Sequence, residues 1–209
     1  VSNLQAKKSK YSFSQFLKRF SIVKEEMQID LDEFDLSYYT YGMSIYKNMP
    51  LIEPLETKEV KKIYEFVIVL DTSYSIDENL AKRFISNTYS ILSTSNMFYK
   101  SCKVHIIQCD DRIRKDDVIS NQNEMDRLLN SFTLVGGGNT DFRPVFSYVN
   151  DLINQKVFQN LCGLLYFTDG KGIYPKKSPA YKTAFIYLED YDQSKVPSWA
   201  IQYRLEEKL

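Results

Sequence analysis

One histidine, three cysteines and an even balance of charge close several common routes to function in this 209-residue chain. The single histidine, His105, lies inside an apolar run, and no His-Glu-x-x-His pair exists. A serine-hydrolase or metallopeptidase centre would therefore lack its base or its metal ligands. Cys102, Cys109 and Cys162 all sit in apolar, strand-like runs. Their odd, sparse count, with no secretory leader in the first residues, argues for buried thiols in a reducing, cytoplasmic setting rather than a disulfide framework. A zinc set is disfavoured by alternation: in a strand Cys102 points away from the face shared by His105 and Cys109, and no fourth ligand lies near. The 27 basic and 27 acidic residues cancel, which removes bulk attraction to nucleic acid or an anionic membrane. No apolar run approaches the roughly 20 residues that span a bilayer. Gly136-Gly137-Gly138 lacks the Lys-Ser/Thr that completes a phosphate-binding P-loop. It supplies backbone freedom for its neighbours instead.

What remains is a chain with 44% hydrophobic residues, enough for a substantial core. Phe13, Phe16, Leu17 and Phe20, behind a Ser12–Gln15 capping box, predict a short amphipathic helix. Residues 34–56, rich in tyrosine and broken by Pro50 and Pro54, read as an extended, packing connector. From Ile63 onward strands alternate with helices. Strands are expected at Ile63–Leu70, Lys103–Cys109, Leu161–Phe167 and Thr183–Leu188, with an edge strand at Arg112–Ile119 and a half-exposed last one around Trp199, Ile201, Tyr203 and Leu205. Helices follow from Leu80, Phe84, Ile91 and Leu92, from Met125, Leu128, Leu129 and Phe132, and from Val145, Val149, Leu152 and Ile153, the last entered through Pro144. The expected fold is α/β: a doubly wound, mostly parallel sheet with helices on both faces and one antiparallel edge strand. Residues 1–60 are expected to be a helix and connector leaving a missing upstream domain, and 61–209 the α/β domain. The chain begins without Met and reads as a piece of a longer protein.

The most informative residues follow the first strand of that domain. Glu65–Leu70 runs straight into Asp71-Thr72-Ser73-Tyr74-Ser75, one carboxylate and two hydroxyls within five positions. These are hard oxygen donors, of the kind that bind Mg²⁺, Mn²⁺ or Ca²⁺. The same residue types also cap helices, so the cluster alone is compatible with an N-cap. Two further oxygen-bearing segments stand downstream, Asn139-Thr140-Asp141 and Thr168-Asp169-Gly170, with Thr140 69 and Asp169 98 residues from Asp71. In doubly wound sheets ligands bind beyond the carboxyl ends of strands, where strand order reverses, and Asp71 and Asp169 each end a strand.

Asp71-Thr72-Ser73-Tyr74-Ser75-Ile76, Ile107-Gln108-Cys109-Asp110, Asn139-Thr140-Asp141-Phe142-Arg143-Pro144-Val145-Phe146 and Phe167-Thr168-Asp169-Gly170 together resemble one bacterial branch of the von Willebrand factor type A (VWA) superfamily. That branch is a VWA-like C-terminal domain behind a metallopeptidase-like domain, often encoded beside MoxR-type AAA+ ATPases. The resemblance covers about Ile63 to Leu205, and Thr-Asp-Phe-Arg-Pro is its most specific run. It implies a metal-ion-dependent adhesion site with Ser73, Ser75 and Thr140 as hydroxyl ligands, and Asp71 and Asp169 acting directly or through water. The metal would be Mg²⁺ or Mn²⁺, with Ca²⁺ also compatible. Tyr74 stands where a small residue is usual and adds bulk beside the site. Asp141 is either an outer group or a helix cap. Arg143 meets an anionic partner or pairs with Asp141 or Asp169. Asp110 lines the rim or belongs to a turn.

The expected role is a metal-dependent protein-interaction module that captures an Asp or Glu carboxylate, with no catalytic residues in this stretch. The partner would be a MoxR-type ATPase or an upstream domain of the same chain; neither nucleic acid nor membrane is expected. The alternative is a metal-dependent phosphohydrolase using Asp71 as nucleophile. Position 73 is Ser, where such enzymes would place a second acid.

Overall fold

A computed structural model describes residues 13–47, 49–73, 77–94, 98–187 and 190–205. Tyr74, Ser75, Ile76 and Leu188 lie outside the described residues, as does Ser12 of the expected capping box. The described residues fall into two compact units: Ile22–Lys62, and the rest of the chain on either side of it.

The smaller unit is a hairpin with a helix between its strands. β1 (Ile22–Phe34) pairs antiparallel with the first part of β2 (Pro54–Asp71), from Ile22 opposite Lys62 to Phe34 opposite Pro54. Between them α2 (Leu36–Tyr46) starts at Asp35, whose Oδ1 accepts the Ser37 N–H at 2.7 Å. An aspartate at this position satisfies amides that the first helical turn leaves open. This corrects the reading of 34–56 as an extended connector. Gly42 makes the packing feasible, since a Cβ there would fall 2.5 Å from the Leu51 nitrogen.

In the larger unit the strand order is β4-β3-β2-β5-β6-β7, with β3 (Phe98–Cys109), β4 (Ile113–Ile119), β5 (Leu161–Thr168), β6 (Thr183–Tyr187) and β7 (Ile201–Arg204). All neighbouring pairs on this path are parallel except β3 with β4, the antiparallel edge. The fold is therefore the α/β, doubly wound, mostly parallel sheet expected. Trp199 falls before the last strand rather than in it.

Alternation sorts the core onto the two faces of the sheet. Val67, Val69, Ile107, Cys109, Leu164, Tyr166 and Phe185 pack with Val145, Phe146 and Val149 of α5 (Arg143–Asn154). On the other face Phe84 of α3 (Glu78–Thr94) stacks on Phe167, with ring centroids 4.2 Å apart. The N-terminal helix, α1, described over residues 13–17 and closed by the 3-10 turn Lys18–Phe20, joins that face. Phe20 meets Phe66 edge-on at 5.5 Å, and Phe16 lies 4.6 Å from Tyr203. The apolar stripe of this helix thus finds its partner in the sheet, each buried phenylalanine contributing roughly 1.5–3 kcal/mol. α4 (Gln122–Asn130) completes the helices, capped by Asn121, whose side chain accepts the Glu124 N–H at 3.0 Å.

The chain moves from β2 outward to β3 and β4, then returns to the other side of β2 to lay down β5, β6 and β7. The reversal falls between β2 and β5, and in architectures of this kind ligands bind beyond the carboxyl ends of the strands at such a point.

Candidate functional site

Asp71 is the last residue of β2 and is fully buried. Its Oδ1 accepts the Ser73 N–H at 3.0 Å, and its Oδ2 accepts the Thr168 hydroxyl at 2.6 Å. The Ser73 side chain hydrogen-bonds to the same carboxylate. Thr168 Oγ1 in turn accepts the Gly170 N–H at 3.0 Å, fixing the hydroxyl's direction. Burial pushes the Asp71 carboxyl up from its ordinary range; the donated hydrogen bonds oppose this, and the negative charge of Asp169 adds to it. No lysine, arginine or histidine pairs with Asp71 among the described residues.

Asp169, one residue past β5, is buried beside Asp71. Its Oδ1 accepts the Lys171 N–H at 3.0 Å, and the Lys171 ammonium stands 3.4 Å from Oδ2. Gly170 makes this tight turn with φ 85°, in the left-handed region, and a Cβ there would press on the Tyr187 ring at 3.0 Å. Thr140 meets Asp169 from the glycine-rich loop: with Asp169 and Lys171 it lines a cleft of about 480 Å³, of which Asp71 and Ser73 are not lining residues. Its methyl would lie 2.7 Å from a Cβ at Gly172.

The loop carrying Thr140 is pinned from below by buried polar groups, of which the sequence singled out Asp110 alone, as a rim or turn residue. Gln108 Nε2 donates to the Thr133 carbonyl at 3.1 Å, and its Oε1 accepts the Val135 N–H at 2.8 Å. Gly137, at φ 107°, donates its N–H to the Thr72 carbonyl at 2.8 Å. A side chain at Gly136 would collide with Thr72, whose buried hydroxyl has no partner among the described residues. Asp110 is the strongest anchor. Fully buried, it takes Arg114 Nε at 2.8 Å and Nη2 at 2.7 Å, the amides of Asp111 and Arg112, and the Gly138 N–H at 3.2 Å. Its carbonyl accepts the Asp141 N–H. Burial alone would raise this carboxyl, but Arg114 and the surrounding donors hold it well below the usual range. Asp110 is thus an interior loop anchor and not a rim residue.

Of the outlying candidates, Arg143 pairs with Asp141, not Asp169: Nη2 lies 2.6 Å and Nε 2.9 Å from the two oxygens. Asp141 Oδ1 also accepts the Arg143 N–H at the start of α5. His105 is not at the site. It pairs with Val67, four positions before Asp71, about 13 Å back along the sheet. There it is buried between Asp116, at 3.0 Å, and the Phe158 ring, and Tyr148 donates to the same aspartate. Ser75 and Tyr74 lie outside the described residues. All three cysteines are free and buried. Among the described residues no helix is long and apolar enough to cross a membrane.

The donor set fits a hard divalent cation. Among the described residues no three His, Cys, Asp or Glu side chains gather as a metal cluster. The candidate set has a different chemistry, two carboxylates joined by hydroxyls. A buried carboxylate without a basic partner is costly, and a cation beside it offsets that cost.

No curated protein matches the chain. Among solved structures it is similar to a von Willebrand factor type A protein from Catenulispora acidiphila, at 9% identity and TM-score 0.48, over 72% of this chain and 40% of that one. It is also similar to the VWA domain of SpRpn10, at 8% and 0.47, over 70% and 91% of the two chains. The ArnB paralog VWA2 from Sulfolobus acidocaldarius gives 14% and 0.43, over 88% and 51%. The chain spans less than half of the Catenulispora protein, and these likenesses concern the fold alone. VWA-like folds commonly mediate protein interaction and are generally not catalytic. A sequence model described as VWA-like domain (DUF2201) matches residues 66–206, well over half of the chain, and the chain belongs to that family.

Proposed function

We propose that the carboxyl ends of β2 and β5 form a divalent-cation site through which this domain captures a carboxylate of a protein partner. The observation that carries the reading is Asp71: a fully buried carboxylate with no basic partner among the described residues, next to a second buried carboxylate. Ser73 and Thr140 would offer hydroxyl oxygens, joined by Ser75 from outside the described stretch. Asp71 and Asp169 would supply negative charge directly or through water. Mg²⁺ or Mn²⁺ held mainly by neutral hydroxyls keeps much of its charge and an exchangeable position, which a partner's Asp or Glu can take. Thr168 and the Ser73 amide oppose the upward push of burial on the Asp71 carboxyl and aim it. Gln108, Asp110 and the Gly137 amide fix the loop that presents Thr140.

A MoxR-type AAA+ ATPase, or an upstream domain of the same protein, is the proposed source of the carboxylate. The domain itself has no hydrolytic role in this reading: the sole histidine is bound up with Asp116 and Tyr148 in the interior. Capture of such a partner by the immobilised protein, with Mg²⁺ or with EDTA, tests the proposal. Capture should be lost in EDTA while the circular-dichroism spectrum stays unchanged, because the sheet has its own apolar core. Capture indifferent to EDTA would overturn it.

A further inference from the structure

Lys171 places a positive charge where a metal ligand needs to be open. Its backbone N–H binds Asp169 Oδ1 at 3.0 Å and its ammonium lies 3.4 Å from Oδ2, so one residue addresses both oxygens of that carboxylate. The carboxylate is nearly buried, at 8% side-chain exposure, whereas the lysine side chain is 71% exposed. Only the charged end of Lys171 therefore needs to stay for the pair to exist, and its stem is in solvent. The residue lines the same cleft as Thr140 and Asp169.

We propose that Lys171 is a built-in counter-cation that holds Asp169 while the site contains no divalent ion, and that it competes with that ion for the carboxylate. The inference rests on the divalent-cation reading above. An ammonium and a divalent ion cannot share one carboxylate oxygen without strong repulsion, so binding of the metal requires the ammonium to withdraw. Withdrawal is cheap, because the flexible four-carbon stem is solvent-exposed and the ammonium regains hydration as it leaves. The backbone N–H bond to Oδ1 survives the exchange and keeps Asp169 aimed. Lys171 thus makes the site weaker for metal than its oxygens alone would make it, and it lets the two buried carboxylates coexist without metal.

A second lysine on the same cleft provides the control. Lys195 pairs with Asp192 at 3.5 Å and is 70% exposed, so it matches Lys171 in charge and exposure but addresses a different carboxylate. Isothermal titration of Mg²⁺ at low ionic strength into the whole chain and its Lys171→Met and Lys195→Met variants tests the idea. A pair whose lysine is this exposed is worth about two- to fivefold in an equilibrium constant. Lys171→Met should bind Mg²⁺ about two- to fivefold more tightly than wild type, and Lys195→Met should match wild type. Binding that appears only in Lys171→Met also supports the competition. Binding in wild type that Lys171→Met leaves unchanged or weakens would overturn the inference while leaving the divalent-cation reading intact. Equal tightening in both variants would assign the effect to overall charge and overturn it as well. Absence of binding in all three chains would overturn the inference and the reading together.

Discussion

Asp71 ends β2 and Asp110 directly follows the neighbouring parallel strand β3, both fully buried, yet their surroundings drive them in opposite directions. Asp110 has Arg114 in a two-pronged grip and three backbone amides around it, and its carboxyl is held below the ordinary range. Asp71 has one hydroxyl, one amide and the Ser73 side chain, but no cation among the described residues; burial and the charge of Asp169 push its carboxyl up. Same residue type, same end of the sheet: the difference is a counter-charge. Asp110 is satisfied by the chain and serves the chain. Asp71 is provided with everything a carboxylate needs to stay ionised except a positive partner.

The largest effect should come from breaking the satisfied half of this contrast. Asp110→Ala strands a partly buried guanidinium and frees the Gly138 amide, and should cost about 3 kcal/mol in urea unfolding. The same isosteric change at both positions sharpens the contrast. Asp110→Asn should still cost about 2 kcal/mol, because a charge-assisted pair becomes a neutral one. Asp71→Asn should leave metal-free stability unchanged or slightly raised, since it removes a charge the fold disfavours. Equal losses at the two sites would erase the distinction.

Acid titration of stability follows with the sign fixed by Asp110. Its folded carboxyl titrates below the unfolded one, so its contribution is complete above the ordinary carboxylate range and is lost as pH falls toward the folded value. Unfolding curves recorded between about pH 5 and pH 2 should steepen for wild type relative to Asp110→Asn. A smaller effect belongs to the loop. Gly136→Ala places a methyl against Thr72 and should cost about 1–2 kcal/mol, an overpacking penalty, and weaken metal binding through Thr140. A stable variant with unaltered metal affinity would show that this close approach does not position Thr140.

Much of the larger unit was legible because its signals are local. Phe66–Leu70 and Leu161–Phe167 are continuous apolar runs, as strands buried on both faces must be, and α5 announces itself through Pro144 and a clean helical stripe. The strand ends carrying Asp71 and Asp169 followed from those runs. The smaller unit was not legible for the converse reason. β1 interleaves Glu25, Glu26, Asp30, Asp32 and Glu33 with its apolar residues, several of them exposed, and its pairing to β2 is a matter of register with a distant segment, Ile22 opposite Lys62 and Phe34 opposite Pro54. α2 is apolar around its circumference, with Leu36, Tyr38, Tyr41, Ile45 and Tyr46 exposed, so no single stripe marks it as a helix. β2 begins at Pro54 rather than Ile63 because its first part belongs to that hairpin. At the site, Thr168 and Gln108 stood inside sequence motifs without a role, because each acts through a partner set by tertiary contact, whereas Arg114 grips Asp110 from only four residues on. Thr168 reaches Asp71 across 97 residues, and Gln108 reaches the loop 27 residues on. Only the alternation that puts Gln108 and Asp110 on one face of β3 hinted that two buried polar side chains point the same way.

The central claim is that Asp71, unlike Asp110, is completed by a divalent cation. Isothermal titration of Mg²⁺ into wild type and Asp71→Asn, both verified as folded by circular dichroism, measures it directly. Wild type should bind one ion per chain and Asp71→Asn should show no heat of binding over the same range. Undiminished binding in Asp71→Asn would contradict the account.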